Sequence, residues 1–188
     1  MVKTKSSWSQ GYEIINDTVS LSSVRNLVVP QNDMRGTSFR HIETQNSDDK
    51  TYRLTARSVR EIKAFATNAL LSLGYNDFST FDQIENLAEK MFIRLKTNYL
   101  KCRMDLVSSD SCKKFHMDNL MARAITTLIG PGTEYKFSKK PCQVYQVKTG
   151  DTIILKGGNY PGKKSKILHR SPKISHLGIE RLVFVMDC

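Results

Sequence analysis

A chain of 188 residues, 39% hydrophobic and 25% charged, has enough apolar material for one domain with a buried core. No stretch approaches the roughly 20 apolar residues that cross a bilayer as a helix, and the basic N-terminus lacks the apolar run of a signal peptide, so a cytoplasmic protein with no membrane contact is expected. The formal net charge of +11 predicts attraction to polyanions and brings in nucleic acid as a partner class.

Residues 1–50 are polar and mixed, with apolar pieces at 12–15 and 27–29, turn chemistry at Pro30, Asn32, Asp33 and Gly36, and an exposed loop at 45–50. From Thr55 the pattern turns helical. Val59, Ile62, Ala66, Ala69 and Leu70 recur at three- and four-residue steps, and Gly74 suits the helix end. A second helix opens after Ser79 and Thr80, with Phe81, Ile84, Leu87, Ala88, Met91 and Phe92 on its apolar face. Thr80 with Gln83 has the form of a capping box. Both stripes read as core. After Thr97 the signal changes to strands over 99–107, 122–129, 143–147, 152–156 and 181–187, punctuated by Gly, Pro, Asp and Ser. Gly130, Pro131 and Gly132 form a turn and not a phosphate loop, because no Lys-Ser/Thr follows and no helix begins there. Gly157, Gly158 and Asn159 form a loop placed to line a pocket mouth. The class expected is α+β, an N-terminal helical segment packed on a C-terminal double-stranded β-helix of cupin or jelly-roll type. One domain, 1–188, would divide into a mainly helical support region over 1–97 and a metal-binding β-barrel core over 98–188.

The chemistry concentrates in that second half. His116 and Asp118 stand two positions apart in FHMDN, and His169 follows in ILHRSP. Two imidazoles and one carboxylate are the ligand set of a facial triad, which holds a divalent metal and leaves one side of it open. On an extended strand, side chains i and i+2 share a face, so His116 and Asp118 both reach one ion, and a later strand brings in His169. Arg181 lies twelve residues beyond His169 in the apolar run IERLVFVMD. The order H-x-D, a long gap, H, then Arg resembles that of iron enzymes that consume 2-oxoglutarate, where the Arg pairs with the distal carboxylate of the cosubstrate.

The four cysteines (Cys102, Cys112, Cys142 and Cys188) make no C-x-x-C pair, which argues against a zinc ribbon and for free thiols in a reducing compartment. Cys112 precedes His116 by four residues, about 13 Å on an extended strand, so ligation by its thiolate needs a sharp bend. Strand parity sets Arg123 away from Asp118. Lys139 and Lys140, and Lys163, Lys164 and Lys166, are the densest basic groups. The second group, just before His169, would set a basic rim suited to an acidic or phosphorylated substrate.

The segment CKKFHMDNLMARAITTLIGPGTEY from Cys112 to Tyr135 resembles a bacterial family known as domain of unknown function 1826, whose pattern reads C-x-x-F-H-x-D-N, a nearby Arg, then T-Y-x-G-P-G-T-E-W. GDTIILKGGNYPG, HRSP and the terminal RLVFVMD continue the match in order. Ile129 replaces the usual aromatic before GPGT, and Tyr135 the usual Trp. The resemblance implies a site and no substrate.

Together these readings predict an Fe(II) centre on His116, Asp118 and His169, with zinc or manganese as alternatives, and 2-oxoglutarate as cosubstrate of a hydroxylase-type dioxygenase. Arg181 is the expected partner of the distal carboxylate. Arg123, Tyr135, Arg170 and Ser171 are further candidate contacts, and if Arg170 and Ser171 hold the cosubstrate then Arg181 falls to a structural ion pair. Two rivals stand beside this reading. One is a metal-binding cupin or hydrolase that works without 2-oxoglutarate. The other is a basic nucleic-acid- or protein-binding module. His41 and His176 read as surface or structural, His176 also as a donor behind the ligands.

Overall fold

Along Leu100–Val107 every second side chain is buried: Leu100, Cys102, Met104 and Leu106 point one way, while Arg103, Asp105 and Val107 point the other. That alternation is the mark of a strand with two different faces, and it organises the whole molecule. The computed structural model describes residues 5–15, 40–43, 49–75, 81–140, 142–162 and 165–188. Eleven strands among them run β1 (Lys5–Ser7), β2 (Tyr12–Ile15), β3 (Arg40–Glu43), β4 (Lys50–Ala56), β5 (Leu100–Val107), β6 (Ala122–Ile129), β7 (Glu134–Phe137), β8 (Tyr145–Gln146), β9 (Thr152–Lys156), β10 (Ile167–Arg170) and β11 (Arg181–Asp187), with helices α1 (Val59–Ser72) and α2 (Phe81–Leu95) between β4 and β5. They form a large antiparallel sheet in the order β1-β2-β9-β6-β11-β5-β4-β3 and a small one in the order β10-β7-β8. From β5 onward the chain visits the two sheets in turn, with a single bridge from His116 to His169 adding an edge to the small one.

One face of the large sheet carries Tyr52, Ala56, Met104, Ala124, Ile154, Leu182, Phe184 and Met186 against the two helices. The helices meet it with side chains their periodicity predicted, Ile62, Ala66, Ala69 and Leu70 from α1 and Ile84, Leu87, Ala88 and Met91 from α2, and α1 adds Phe65, which the periodicity had not picked out. The opposite face of β6, β9 and β11 packs Ile125, Ile153, Leu155, Val183 and Val185 against Tyr135 and Ile167 of the small sheet. No helix among the described residues is long and apolar enough to cross a membrane.

The expectation of an N-terminal helical segment over 1–97 is not met. Four strands precede α1, and β1 to β4 extend both edges of the large sheet. The helical pattern also starts later than Thr55, which ends β4 with Ala56. Its alternation sends Tyr52, Leu54 and Ala56 to the helices and Thr51 and Arg53 to the other face, a period of two hidden in polar sequence. Helix α1 begins at the cap of Ser58, whose extended backbone (φ −146°, ψ 156°) lets its hydroxyl accept from the Glu61 N–H. It stops at Gly74, φ +84°, where Tyr75 N donates to Leu70 O and Gly74 N to Leu71 O, the paired bonds of a Schellman motif. The capping box proposed at Thr80, the turn at 30–36 and most of the loop at 45–50 lie outside the described residues. Strand β7, four residues long, went unread because its run does not reach the length at which alternation shows, whereas β10 is the later strand expected to bring in His169.

Candidate metal centre and its cavity

His116 does not sit on a regular strand. One antiparallel bridge fixes it: His116 N donates to His169 O at 3.0 Å and His169 N to His116 O at 2.9 Å. This pair brings the two imidazoles to a centroid separation of 4.5 Å. The chain then leaves the sheet, and the turn from Asp118 to Met121 is held from outside by the glycine loop. Gly158 N donates to Asp118 O at 2.7 Å, Gly157 N to Met121 O at 2.9 Å and Asn159 N to Leu120 O at 3.1 Å. A Cβ on Gly157 would fall 2.0 Å from Leu120 O and 2.9 Å from Asp118 O, so only glycine permits this approach. The loop predicted to line a pocket mouth therefore supports the Asp118 backbone instead.

The nearest ligand-type atoms of His116, Asp118 and His169 all lie within 4.8 Å of one another. His116 Nδ1 is 3.0 Å from Lys114 O. A carbonyl only accepts, so Nδ1 carries a proton, and in the neutral ring Nε2 turns a lone pair inward, 3.4 Å from Asp118 Oδ1. His169, 5% exposed, places Nε2 3.2 Å from Asp118 Oδ2. That oxygen is buried and no hydrogen-bond donor is directed at it among the described residues, so the His169 contact is close without being a well-aimed bond. A lone pair facing a carboxylate beside an unserved carboxylate oxygen is a geometry that wants a cation between them. The donor set fits a divalent metal on that ground.

Arg123 fixes the rest of the carboxylate. Its Nη1 donates to Asp118 Oδ1 at 2.7 Å, while Nε and Nη2 clasp both oxygens of Asp187 at 2.6 and 2.7 Å. Oδ1 of Asp118 is thus tied back, with His116 Nε2 3.4 Å from it, and Oδ2 is left to His169. Burial alone would raise the Asp118 carboxyl, but His169, Arg123 and His116 outweigh it and hold it below its ordinary value. Parity had set Arg123 away from Asp118. The contact exists because the chain turns between them, and it leaves Arg123 saturated by two carboxylates, not free for a cosubstrate. Asp187 was not singled out in the sequence; its signal was an acidic residue six positions past Arg181, on the same strand face.

The triad opens into a cavity of about 360 Å³ lined also by Cys112, Ile125, Thr133, Ser171, Arg181 and Val183. Arg181 is 4% exposed. Its Nε donates to Pro131 O at 2.8 Å and its Nη2 to Thr127 and Thr133 Oγ1 at 3.1 and 3.0 Å. Nη1 has only Ser171 Oγ, 3.5 Å away. No carboxylate forms an ion pair with it among the described residues, and burial pushes its pKa down to about 10, with the Asp105 charge acting the other way. The structural ion pair foreseen as its alternative role is not formed among the described residues. Arg170 also lines the cavity but is tied to Glu134 at 2.6 Å and stacked over Phe115. Tyr135 is not brought to the cavity lining; it lies 20° from parallel with Tyr145 in the inter-sheet core, and burial, with Tyr12 and Tyr145 adding to it, raises its pKa to about 12. His176 is exposed on a turn. Lys163 and Lys164 lie outside the described residues, and Lys166 lines a separate groove with Lys139 and Lys140.

The roughly 13 Å of an extended strand does not hold at Cys112. The backbone bends at Lys114, and Cys112 Sγ sits 3.7 Å from His116 Nε2.

Two antiparallel sheets with two helices on one face, and a His-Asp-His cluster opening into a cavity between strands, define the class of molecule. Residues 14–187 match the model of the family described as protein of unknown function DUF1826, and the chain belongs to that family. No curated protein matches it in sequence. Among solved structures it is similar to a dioxygenase for auxin oxidation from rice, at 13% identity and TM-score 0.48 over 78% of this chain and 57% of that one. It is also similar to the Arabidopsis thaliana dioxygenase for auxin oxidation 1 in complex with 2-oxoglutarate (11%, 0.47, 84% and 68%). A Pseudomonas putida prolyl-4-hydroxylase is similar at 14%, 0.43, 78% and 76%. The chain thus spans little more than half of the rice protein, and no residue role here follows from these likenesses.

Proposed function

We propose that this protein is a non-haem Fe(II)-dependent, 2-oxoglutarate-using oxygenase of the hydroxylase type, built on a double-stranded β-helix. The alternation of the chain between two sheets supports the fold, since jelly rolls are wound in that way. One observation carries the function: a His-Asp-His cluster with an unserved carboxylate oxygen shares its cavity with a buried guanidinium that pairs with no carboxylate among the described residues.

In this reading His116 Nε2, Asp118 Oδ2 and His169 Nε2 hold the metal. When bound, the metal supplies dioxygen activation coupled to decarboxylation of 2-oxoglutarate to succinate and CO2, with one oxygen atom passing to a substrate C–H bond. The chain's own part is to bind and orient. Arg181 receives the distal carboxylate through Nη1, beside the hydroxyls of Thr133 and Ser171. Arg181 Nη1 meets the Ser171 hydroxyl at 3.5 Å, and both line the cavity that holds the three ligands. Ile125, Val183 and Val185 add apolar surface to the wall of the cavity. Four cysteines free of disulfides suit a reducing cytoplasm.

The test is anaerobic titration of 2-oxoglutarate into Fe(II)-loaded protein, following the visible charge-transfer band. A saturable band lost in His116→Ala and weakened in Arg181→Ala supports the reading; stoichiometric, triad-dependent metal without a band refutes it. The position of Cys112 favours a second reading, because a thiolate beside His116 selects zinc over iron–oxygen chemistry and would make the site that of a metal-dependent hydrolase. Zinc retained through purification and released by Cys112→Ser would establish it, while manganese or iron indifferent to that change would end it.

A further inference from the structure

The inner face of the large sheet changes character at β5. On β6, β9 and β11 it is covered by the small sheet and carries Ile125, Ile153, Leu155, Val183 and Val185. On β5 and β4 the same face carries Arg103, Asp105, Thr51 and Arg53, and all four line the cavity that holds the triad. Strand register sets Arg53 directly opposite Arg103, with Val185 and then Ile125 continuing the row toward the triad side of the sheet. Like charges directly opposite on neighbouring strands repel, and little here relieves them. Asp105 Oδ2 lies 2.8 Å from Arg103 Nε, but that N–H is not directed at it and is left without an acceptor. The other oxygen of Asp105 accepts from Thr51. Burial raises the Asp105 carboxyl, with Arg103, Thr51, Arg53 and Arg181 acting the other way. Arg53 is exposed and makes no ion pair or hydrogen bond among the described residues. The remaining anion nearby, Asp49, is taken up by Ser108 and Ser109.

We infer that Arg53 and Arg103 form an oxyanion subsite and that the substrate of this cavity carries a phosphoryl or carboxylate group held between them. Two guanidiniums facing one opening offer paired planar donors of the kind that grip such groups. The subsite is separate from Arg181: in register terms Arg181 is opposite Val107 and Asp105 is opposite Val183, so Arg103 is four positions along β5 from the Arg181 row, on the row of Val185. Its role in substrate recognition rests on the oxygenase reading; its capacity to bind an oxyanion does not.

The experiment is isothermal titration of sulfate, a soluble tetrahedral dianion, and separately of acetate, into anaerobic Fe(II)-loaded protein holding saturating 2-oxoglutarate, so that Arg181 is already engaged. Saturable heat is expected for the wild type, with affinity about tenfold weaker in Arg53→Gln and in Arg103→Gln. It should be unchanged in Lys90→Gln, a charge-matched change on the exposed side of α2. Preference for sulfate assigns a phosphoryl group, preference for acetate a carboxylate. In anion-free buffer Arg53→Gln should also melt no lower than wild type, because it removes a repulsion; this readout needs no ligand. No saturable heat for either anion, or heat indifferent to both arginine variants, overturns the subsite. Failure of the oxygenase reading shows separately, as absence of the 2-oxoglutarate band in the same samples.

Discussion

Replacing Arg181 by Met separates a ligand-binding arginine from a structural one. Met keeps the stem of the side chain and removes the guanidinium. At neutral pH the buried charge subtracts from stability, since a base whose folded pKa lies below its unfolded value is disfavoured as the cation, and the penalty relaxes only as pH rises past about 10. A fall from 12.5 to about 10 corresponds to roughly 3 kcal/mol. Against it stand the bonds to Pro131 O, Thr127 and Thr133, each worth about 1 kcal/mol. The two sums nearly cancel. Arg181→Met should therefore leave the melting temperature of the metal-free protein within a few degrees of wild type. Loss of the charge-assisted pair to the distal carboxylate should cost about 2–3 kcal/mol, a roughly 30- to 150-fold rise in the dissociation constant of 2-oxoglutarate. Scanning calorimetry and titration of the charge-transfer band measure the two quantities on the same preparations. A protein that melts far lower yet binds 2-oxoglutarate as before would show that Arg181 clips the Gly130–Gly132 turn to the sheet and does nothing more.

Gly157→Ala should lower metal affinity by about tenfold or more with every ligand intact, because its Cβ displaces the Asp118–Leu120 turn; equilibrium dialysis against Fe(II) or Mn(II) checks it. Arg123→Gln leaves burial acting on Asp118 with one opposing charge removed, so its pKa rises. A carboxylate with a depressed pKa contributes stability above its unfolded value and loses it as pH falls through the folded one. The pH of half metal loss should accordingly move up in the variant, and an unmoved midpoint would show that Arg123 serves Asp187 alone. Cys102 is buried, and burial, with the Asp187 charge adding to it, pushes its thiol up to about 12. Iodoacetamide at pH 8 should label the exposed Cys112 and Cys142 and spare Cys102 in peptide mapping. The same shift predicts stability fully present below pH 9 and lost toward pH 12, visible as a falling urea midpoint.

The two helices and the triad were legible because each rests on a pattern that survives folding: 3.6-residue periodicity in one case, residue chemistry in the other. Even so, the reason given for the triad was only partly the one the molecule uses. H-x-D was read as two positions on one face of a strand, whereas His116 is fixed by a single bridge to His169 and Asp118 lies on a turn braced by Gly157 and Gly158. The partners of Arg123 could not be read, because they depend on β11 lying beside β6, a long-range pairing that puts Asp187 opposite Arg123. The isolation of Arg181 was equally hidden. Sequence shows that an arginine is present, but not that its neighbours are hydroxyls and a carbonyl instead of carboxylates. The distance from Cys112 to His116 was misjudged for a local reason: the strand rise assumed for 112–116 does not hold through the bend before Phe115.

The net charge of +11 suggested a polyanion partner for the whole chain, but a total says little until each cation is matched to what it faces. Within the cavity, Arg123 is held by two carboxylates, Arg170 by Glu134, and Arg103 stands against Asp105. Arg53 and Arg181 make no ion pair among the described residues, and they lie at different rows of the sheet. The excess that matters for chemistry is therefore Arg53, Arg181 and the poorly matched Arg103, whose Nε–H is not directed at Asp105, and not a diffuse surface. The lysines behave differently. Lys139 and Lys140 leave β7, Lys166 enters β10, and the antiparallel pairing of those strands gathers them in one groove with Phe137, distinct from the triad cavity. Binding of a nucleic acid that weakens steeply with salt but survives loss of His116 and Asp118 would belong to that groove. Binding of a small oxyanion that depends on Arg53 and Arg103 would belong to the cavity, so the two sources of positive charge can be told apart by which residues each kind of anion requires.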